Sequence, residues 1–153
     1  MDTLATNKQV ALAFVRAFNE RDLPAVRNLL ADDFVWHKAI TGEGESEVRP
    51  FQSNELRGRP SPIPPFRDRQ EALDMLGQLF AGGDNDHFGF RVVSITAEDD
   101  RVAVEMEGDG HNPANNRSYR NIYFVLMLVR DGKITLYKEY QDTLHVFDVW
   151  AAE

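Results

Sequence analysis

The spacing of apolar positions changes once along the chain. Before residue 88 they recur every three or four residues, and after it they alternate. Val10, Phe14, Ala17 and Phe18 lie on one helical stripe, and Thr6 and Gln9 have capping-box spacing, which predicts a helix from Asn7 to Glu20. Asp22 is placed to cap a second helix, Pro24 is tolerated in its first turn, and Val26, Leu29 and Leu30 supply its buried stripe up to about Ala31. Asp68 and Glu71 repeat the capping pattern ahead of Leu73, Leu76 and Phe80, and Gly82 and Gly83 stop this third helix.

Phe34, Val35 and Trp36 form a short strand-like run. Beyond residue 88 the alternation predicts strands at Phe88 to Thr96, Arg101 to Glu107, Tyr119 to Val129 and Ile134 to Asp142. Three helices followed by hairpin-connected strands indicate an α+β fold, with the helices on one face of an antiparallel sheet and no βαβ alternation. Between the two halves, Thr41 to Phe66 holds three glycines and five prolines with little periodicity, so it reads as a long loop. A loop of that length is a lid, a binding loop or a disordered segment.

The last hairpin decides which side chains share a face. Arg130-Asp131-Gly132 reads either as a two-residue Asp-Gly turn or as a three-residue loop with Gly132 in a bulge. In the two-residue reading Glu139 lies opposite Phe124. In the three-residue reading it lies opposite Tyr123, with Gln141 opposite Asn121. The favoured three-residue reading puts Asn121, Tyr123, Tyr137, Glu139 and Gln141 on one face, and Ile122, Phe124, Leu126, Leu128 and Leu136 on the other. Either the polar face is solvated and the apolar one is core, or the polar face lines a pocket and the apolar one meets a second subunit. Periodicity leaves both open.

Composition narrows the partners. The chain has 153 residues, 42% of them hydrophobic, which fits one domain spanning 1–153. Seventeen Lys and Arg against 25 Asp and Glu give a net charge of −8 with no basic stripe, which excludes the usual electrostatics of nucleic-acid binding. The N-terminus lacks a signal-type apolar segment, and the longest apolar run, Ile122 to Val129, is too short to span a bilayer, so no membrane partner is expected. The absence of cysteine excludes disulfides and thiolate chemistry and is compatible with a cytoplasmic setting. His37, His87, His111 and His145 have no ligand-type spacing, and no serine sits in a nucleophile elbow, so neither metal nor other cofactor is expected. His111, in a Gly/Asn/Pro-rich stretch, is expected to be exposed.

Residues 117–121 (RSYRN), 131–134 (DGKI) and 138–142 (KEYQD) resemble the C-terminal hairpin of SnoaL-like proteins in the nuclear-transport-factor-two-like superfamily. Asn19 to Leu23 and Leu29 to Phe34 resemble its first helices and strand. The resemblance spans nearly all of the chain except 41–66. It implies a cone-shaped domain of the ketosteroid-isomerase type, with three helices packed on a strongly curved antiparallel sheet around a small-molecule pocket.

Function varies within that superfamily, so residues are carried over singly. The tyrosine and aspartate essential to ketosteroid isomerases fall on Phe14 and Lys38, which speaks against that activity. The catalytic aspartate of limonene-epoxide hydrolases falls on Glu139. Their arginine and aspartate, two residues apart, fall near Glu105 and Glu107, and Trp36 and Lys38 replace their water-binding Tyr and Asn. Phenazine-biosynthesis A/B proteins resemble the chain most closely around Lys138-Glu139-Tyr140 and Tyr119-Arg120-Asn121, where Glu139 aligns with their functional glutamate.

The favoured register sets Tyr123 and Asn121 on the face of Glu139, whose place the resemblance supports, and gives a candidate catalytic set of Glu139, Tyr123 and Asn121. Glu139 would exchange a proton, Tyr123 would donate to a developing oxyanion, and Asn121 would orient a ligand oxygen. Trp36, Lys38, Phe14, Tyr137 and Gln141 are the expected ligand-binding wall. Glu105 and Glu107 either join it or form a solvated pair. The leading expectation is a cofactor-independent enzyme moving protons on a cyclic or polyketide-like metabolite. The alternatives are a non-catalytic ligand-binding or dimerisation domain, or an epoxide hydrolase. A homodimer through the apolar outer sheet face is expected in either case.

Overall fold

A computed structural model describes residues 3–38, 66–82 and 88–150, with the backbone of residues 55–56 and 59–60. The loop expected at 41–66 lies almost wholly outside the described residues, as does His87. Helix α1 (Thr3–Asn19) buries Ala11, Phe14, Val15 and Phe18. It begins one turn before the predicted cap, so Thr6 lies within the helix rather than at its start. Helix α2 (Leu23–Leu29) starts where Asp22 accepts from the Ala25 N–H at 2.9 Å. Strand β1 (Leu30–Lys38) follows at once, so it is longer than the Phe34–Trp36 run and carries the chain as far as Lys38.

Short strands β2 (Glu55–Leu56) and β3 (Arg59–Pro60) pair with each other, and β4 (Phe66–Asp68) leads into helix α3 (Arg69–Ala81). The Asp68–Glu71 capping box is present in both directions, and Gly82 is the C-cap. Strands β5 (Gly89–Glu98), β6 (Arg101–Asn112), β7 (Arg117–Arg130) and β8 (Lys133–Gln141) complete a six-stranded sheet of order β4-β1-β8-β7-β6-β5. The sheet is mixed, not wholly antiparallel, because β1 returns alongside β8 in parallel. A fourth helix, α4 (Thr143–Trp150), follows β8. The expectation of three helices therefore misses α4. Its start is nonetheless written in the sequence, since Asp142 accepts from the His145 N–H at 3.2 Å as a cap.

The final hairpin corrects the predicted loop. Arg130 pairs with Lys133 across a two-residue turn in which Asp131 and Gly132 have φ of 52° and 73°. Both are positive, as a type I′ turn requires. Thr135 is then bypassed by the ladder, which steps from Val129↔Ile134 to Leu128↔Leu136. Glu139 therefore lies opposite Val125 and Gln141 opposite Tyr123, two residues away from the expected pairing. A shift of two keeps every side chain on its face. Asn121, Tyr123, Tyr137 and Glu139 are thus buried on the helix-covered side, while Ile122, Phe124 and Tyr140 are exposed on the other.

The core fills the space between that inner face and α1, α2 and α3. Phe14, Phe18, Val26, Leu73 and Leu76 from the helices meet Val102, Val104, Met106, Val125 and Met127 from the sheet. Helix α4 packs separately, with Val146 and Val149 against Tyr119. Its last carbonyls are taken up by the β6–β7 turn: Asn112 and Asn115 donate to the Val149 carbonyl at 2.8 and 3.0 Å, and Arg117 donates to that of Asp148. Among the described residues, no helix is long and apolar enough to cross a membrane.

Candidate active site

At the end of the inner face the sheet and helices leave a cavity of about 320 Å³. Phe18, Phe88, Phe90, Tyr119, Trp36 and Trp150 give it an aromatic lining, and Met75, Leu76 and Leu79 of α3 close one side. The aromatic clustering is dense: Phe90 meets Tyr123 edge-on at 5.1 Å and lies tilted against Phe18 at 4.8 Å. Gly108 and Gly110 permit this packing. A Cβ on Gly108 would lie 2.7 Å from both Phe88 and Tyr123, and one on Gly110 would lie 2.8 Å from Phe88.

Into this apolar space the strands place one ion pair. Lys38 and Glu139 are register partners on β1 and β8, and Lys38 Nζ donates to Glu139 Oε1. Their side chains are 11% and 2% exposed. Burying either charge alone would cost several kcal/mol, so each is the condition for the other's burial. Lys38 Nζ also sits 5.3 Å from the Trp36 ring centroid, a cation–π distance. The Trp36 Nε1–H is buried with no hydrogen-bond partner among the described residues.

Tyr123 and Tyr119 bring their hydroxyls together at 2.9 Å on the same wall. Burial raises the Tyr123 hydroxyl far above its ordinary range, reinforced by Tyr119 and by the charge of Glu139, so it is a protonated donor at any working pH. Burial also raises Tyr119, partly offset by its bonds to Tyr123 and Asn121. Arg67, beside Trp36 on β4, is lowered by burial and supported by the charges of Glu71 and Glu139, which puts a second cation in the field of the carboxylate.

Four expected site residues, Glu139, Tyr123, Trp36 and Lys38, line this cavity. The others stand elsewhere. Phe14 lies one helical turn deeper, packed 5.3 Å from Tyr137 in the core, and Phe18 takes the wall position instead. Tyr137 is wholly buried between Phe14 and Trp36. Gln141 is half-buried beyond the cavity, with its amide oxygen 3.5 Å from the Tyr119 hydroxyl. Asn121 is not on this wall, and its amide is bound to Tyr119, Ile122 and Asp142. Glu105 and Glu107 are exposed on the opposite face, bonded to Ser94 and Arg91, because alternation along β6 turns them outward whenever Val104 and Met106 turn in.

Several wall residues were not foreseen. Phe88 and Phe90 read only as strand, Tyr119 entered only through the resemblance at Tyr119-Arg120-Asn121 and with no site role, and Trp150 belongs to the missed α4. His111 is half-buried at the end of β6 and lines the cavity, not an exposed loop, because the β6–β7 ladder runs without a break to Asn112↔Arg117. A larger open cleft of about 960 Å³ lies along the β6–β7 surface, but its charged groups are already paired there as Arg91–Glu107 and Arg120–Asp109.

The SnoaL-like domain profile matches residues 11–137. The chain belongs to the SnoaL-like family. Solved structures agree on the fold of this SnoaL-like chain. Wild-type IdmH of Streptomyces antibioticus, a proposed polyketide cyclase, shares 25% identity at a TM-score of 0.63, covering 93% of this chain and 96% of that one. An LEH-like epoxide hydrolase of M. tuberculosis shares 19% identity at 0.64, over 95% and 90%. A candidate isomerase from Bacillus subtilis shares 18% at 0.72, over 100% and 98%. A comparison with curated proteins gives no match.

Proposed function

We propose that this SnoaL-like protein is a cofactor-independent enzyme that moves a proton on a small cyclic or polyketide-like molecule held in the aromatic cavity. The observation that carries this reading is the Glu139 carboxylate, buried on the wall of an otherwise apolar space with Lys38 as its counterion. Glu139 takes a proton from a carbon next to a carbonyl, and the electron pair moves onto the carbonyl oxygen. Tyr123 donates a hydrogen bond to the oxyanion from the same wall. Return of the proton to a different carbon gives an isomer. Attack of the enolate carbon on a second carbonyl closes a ring, and loss of water can follow. Lys38 keeps the carboxylate in place throughout and limits the charge brought into the cavity.

Proton transfer is measurable without the natural substrate. Enolisable aryl ketones and aromatic 1,3-dicarbonyl compounds in D₂O are expected to gain deuterium at the α-carbon when the protein is present. Glu139→Gln should slow this exchange by roughly 10²- to 10⁴-fold, the usual contribution of a positioned acid/base group. Equal exchange by the variant would remove Glu139 from the mechanism.

One observation favours a second reading, a non-catalytic ligand-binding domain: Glu139 already has a partner, and a paired carboxylate can serve only to anchor Lys38. Epoxide hydrolysis is supported less, because Glu105 and Glu107, which the resemblance brought forward for it, face outward. For either reading we propose a homodimer. Ile122 and Phe124 are 68% and 51% exposed next to Tyr140 on the outer face, and a second copy offers a matching apolar surface by two-fold symmetry.

A further inference from the structure

We propose that Asn121 is a positioning residue: it sets the direction of the Tyr119–Tyr123 hydroxyl pair so that Tyr123 keeps its own proton free for an oxygen acceptor on the bound molecule. This rests on the reading above only in treating Tyr123 as a donor to the reacting molecule; the direction of the pair does not depend on any reaction.

The amide of Asn121 has one orientation. Its Oδ1 accepts from the Ile122 N–H at 2.8 Å and the Asp142 N–H at 3.2 Å, and its Nδ2 donates to the Asp142 carbonyl at 3.2 Å. Exchanging nitrogen and oxygen would set an NH₂ against two N–H groups and an oxygen against a carbonyl. The backbone of Ile122 and Asp142 therefore holds the amide so that Nδ2 also donates to the Tyr119 hydroxyl oxygen, at 3.0 Å.

One proton lies between the two tyrosine oxygens, and either oxygen can supply it. If Tyr123 supplied it, Tyr119 would accept twice and would have to send its own proton to Gln141 Oε1, which at 3.5 Å is at the limit of a hydrogen bond. If Tyr119 supplies it, its proton goes to the nearer of its two acceptors, Tyr123 Oη at 2.9 Å and not Gln141 Oε1 at 3.5 Å, while the Asn121 bond at 3.0 Å is the same in both directions. Donation from Asn121 draws electron density from the Tyr119 oxygen and makes its O–H the stronger donor, a cooperative effect in one direction. Acidities agree: the Asn121 bond lowers Tyr119 against its burial, whereas every influence on Tyr123 raises it. The free end of the chain is then the Tyr123 O–H, on the cavity wall beside Glu139.

Neutron diffraction from deuterated crystals of the full chain reads the direction without any ligand. The expected map has the Tyr119 deuteron on the line to Tyr123 Oη and the Tyr123 deuteron off that line, toward the cavity. A Tyr123 deuteron between the two oxygens, or a Tyr119 deuteron directed at Gln141, overturns the proposal. Asn121→Asp, whose carboxylate can only accept, should reverse the pair and draw the Tyr123 deuteron onto Tyr119; an unreversed pair in that variant also overturns it. The wild-type map decides the direction even if the variant does not fold. Loss of the Glu139→Gln effect on exchange would remove the proton-transfer reading and leave this map unchanged, so the two failures are distinguishable.

Discussion

Lys38 and Glu139 are register partners on the parallel strands β1 and β8, and their side chains meet in a buried ion pair at the cavity. The crossover that makes β1 parallel to β8 is thus what joins residues 101 positions apart. Without that pairing Glu139 would be an unpartnered charge in an aromatic box.

Removing one partner is therefore expected to cost more than removing both. Lys38→Met leaves the carboxylate buried alone and should destabilise the fold by about 3–5 kcal/mol in urea unfolding. Lys38→Met combined with Glu139→Leu should recover most of that loss, since an apolar pair of similar volume is often neutral. If the double variant is no more stable than Lys38→Met, the pair is not the term that governs this site.

His37 gives the fold an acid-sensitive limb. It is buried, stacks on Phe66 at 4.6 Å, and is lowered to about 4 by burial and then by the charge of Lys138. The folded protein therefore holds His37 neutral in a range where the unfolded chain protonates it. Its contribution is fully present above the unfolded value of 6.5 and is lost as pH falls through the window down to about 4. His37→Phe should flatten the fall in urea midpoint over that window. A fall as steep as in wild type would assign it to the carboxylates instead.

The inner and outer faces of the last hairpin were legible in the sequence because a side-chain period of two survives any even shift in register. The register itself was not legible, since the bulge at Thr135 leaves no compositional mark and two chain reversals were compatible with Arg130-Asp131-Gly132. Periodicity could not say whether the face of Asn121, Tyr123 and Glu139 meets water or the helices; packing buries all three and brings Tyr123 and Glu139 to the cavity wall. The pairing of Lys38 with Glu139 depends on a parallel neighbour far away in sequence, which no local pattern reports. Phe88 and Phe90 were readable as strand, but their role as cavity wall depends on Gly108 and Gly110, two strand glycines whose purpose appears only when the ring above them is seen.

The exposed outer face predicts self-association. Ile122 and Phe124, the most exposed apolar side chains there, sit at the centre of β7 beside half-buried Leu126. Sedimentation at micromolar concentration should show a dimer, and Ile122→Glu with Phe124→Lys should shift it to monomer with the far-UV spectrum unchanged. A wild-type monomer under those conditions would contradict the dimer.

Glycine substitutions separate backbone strain from cavity shape. Gly132 has φ of 73° and open space where a Cβ would go, so Gly132→Ala should cost about 1 kcal/mol through the turn alone. Gly108→Ala has no such backbone demand, but its methyl would press on Phe88 and Tyr123, both of which line the cavity. The rings must turn, at a cost of about 1–3 kcal/mol typical of overpacking. Both tryptophans of the chain, Trp36 and Trp150, line the same cavity, so intrinsic fluorescence reports on its shape. Gly132→Ala should lower the urea midpoint with the native emission unchanged, whereas Gly108→Ala should lower the midpoint and shift the emission together. Unchanged emission in Gly108→Ala would mean that Phe88 yields outward, and that Gly108 serves the packing of β6 and not the shape of the cavity.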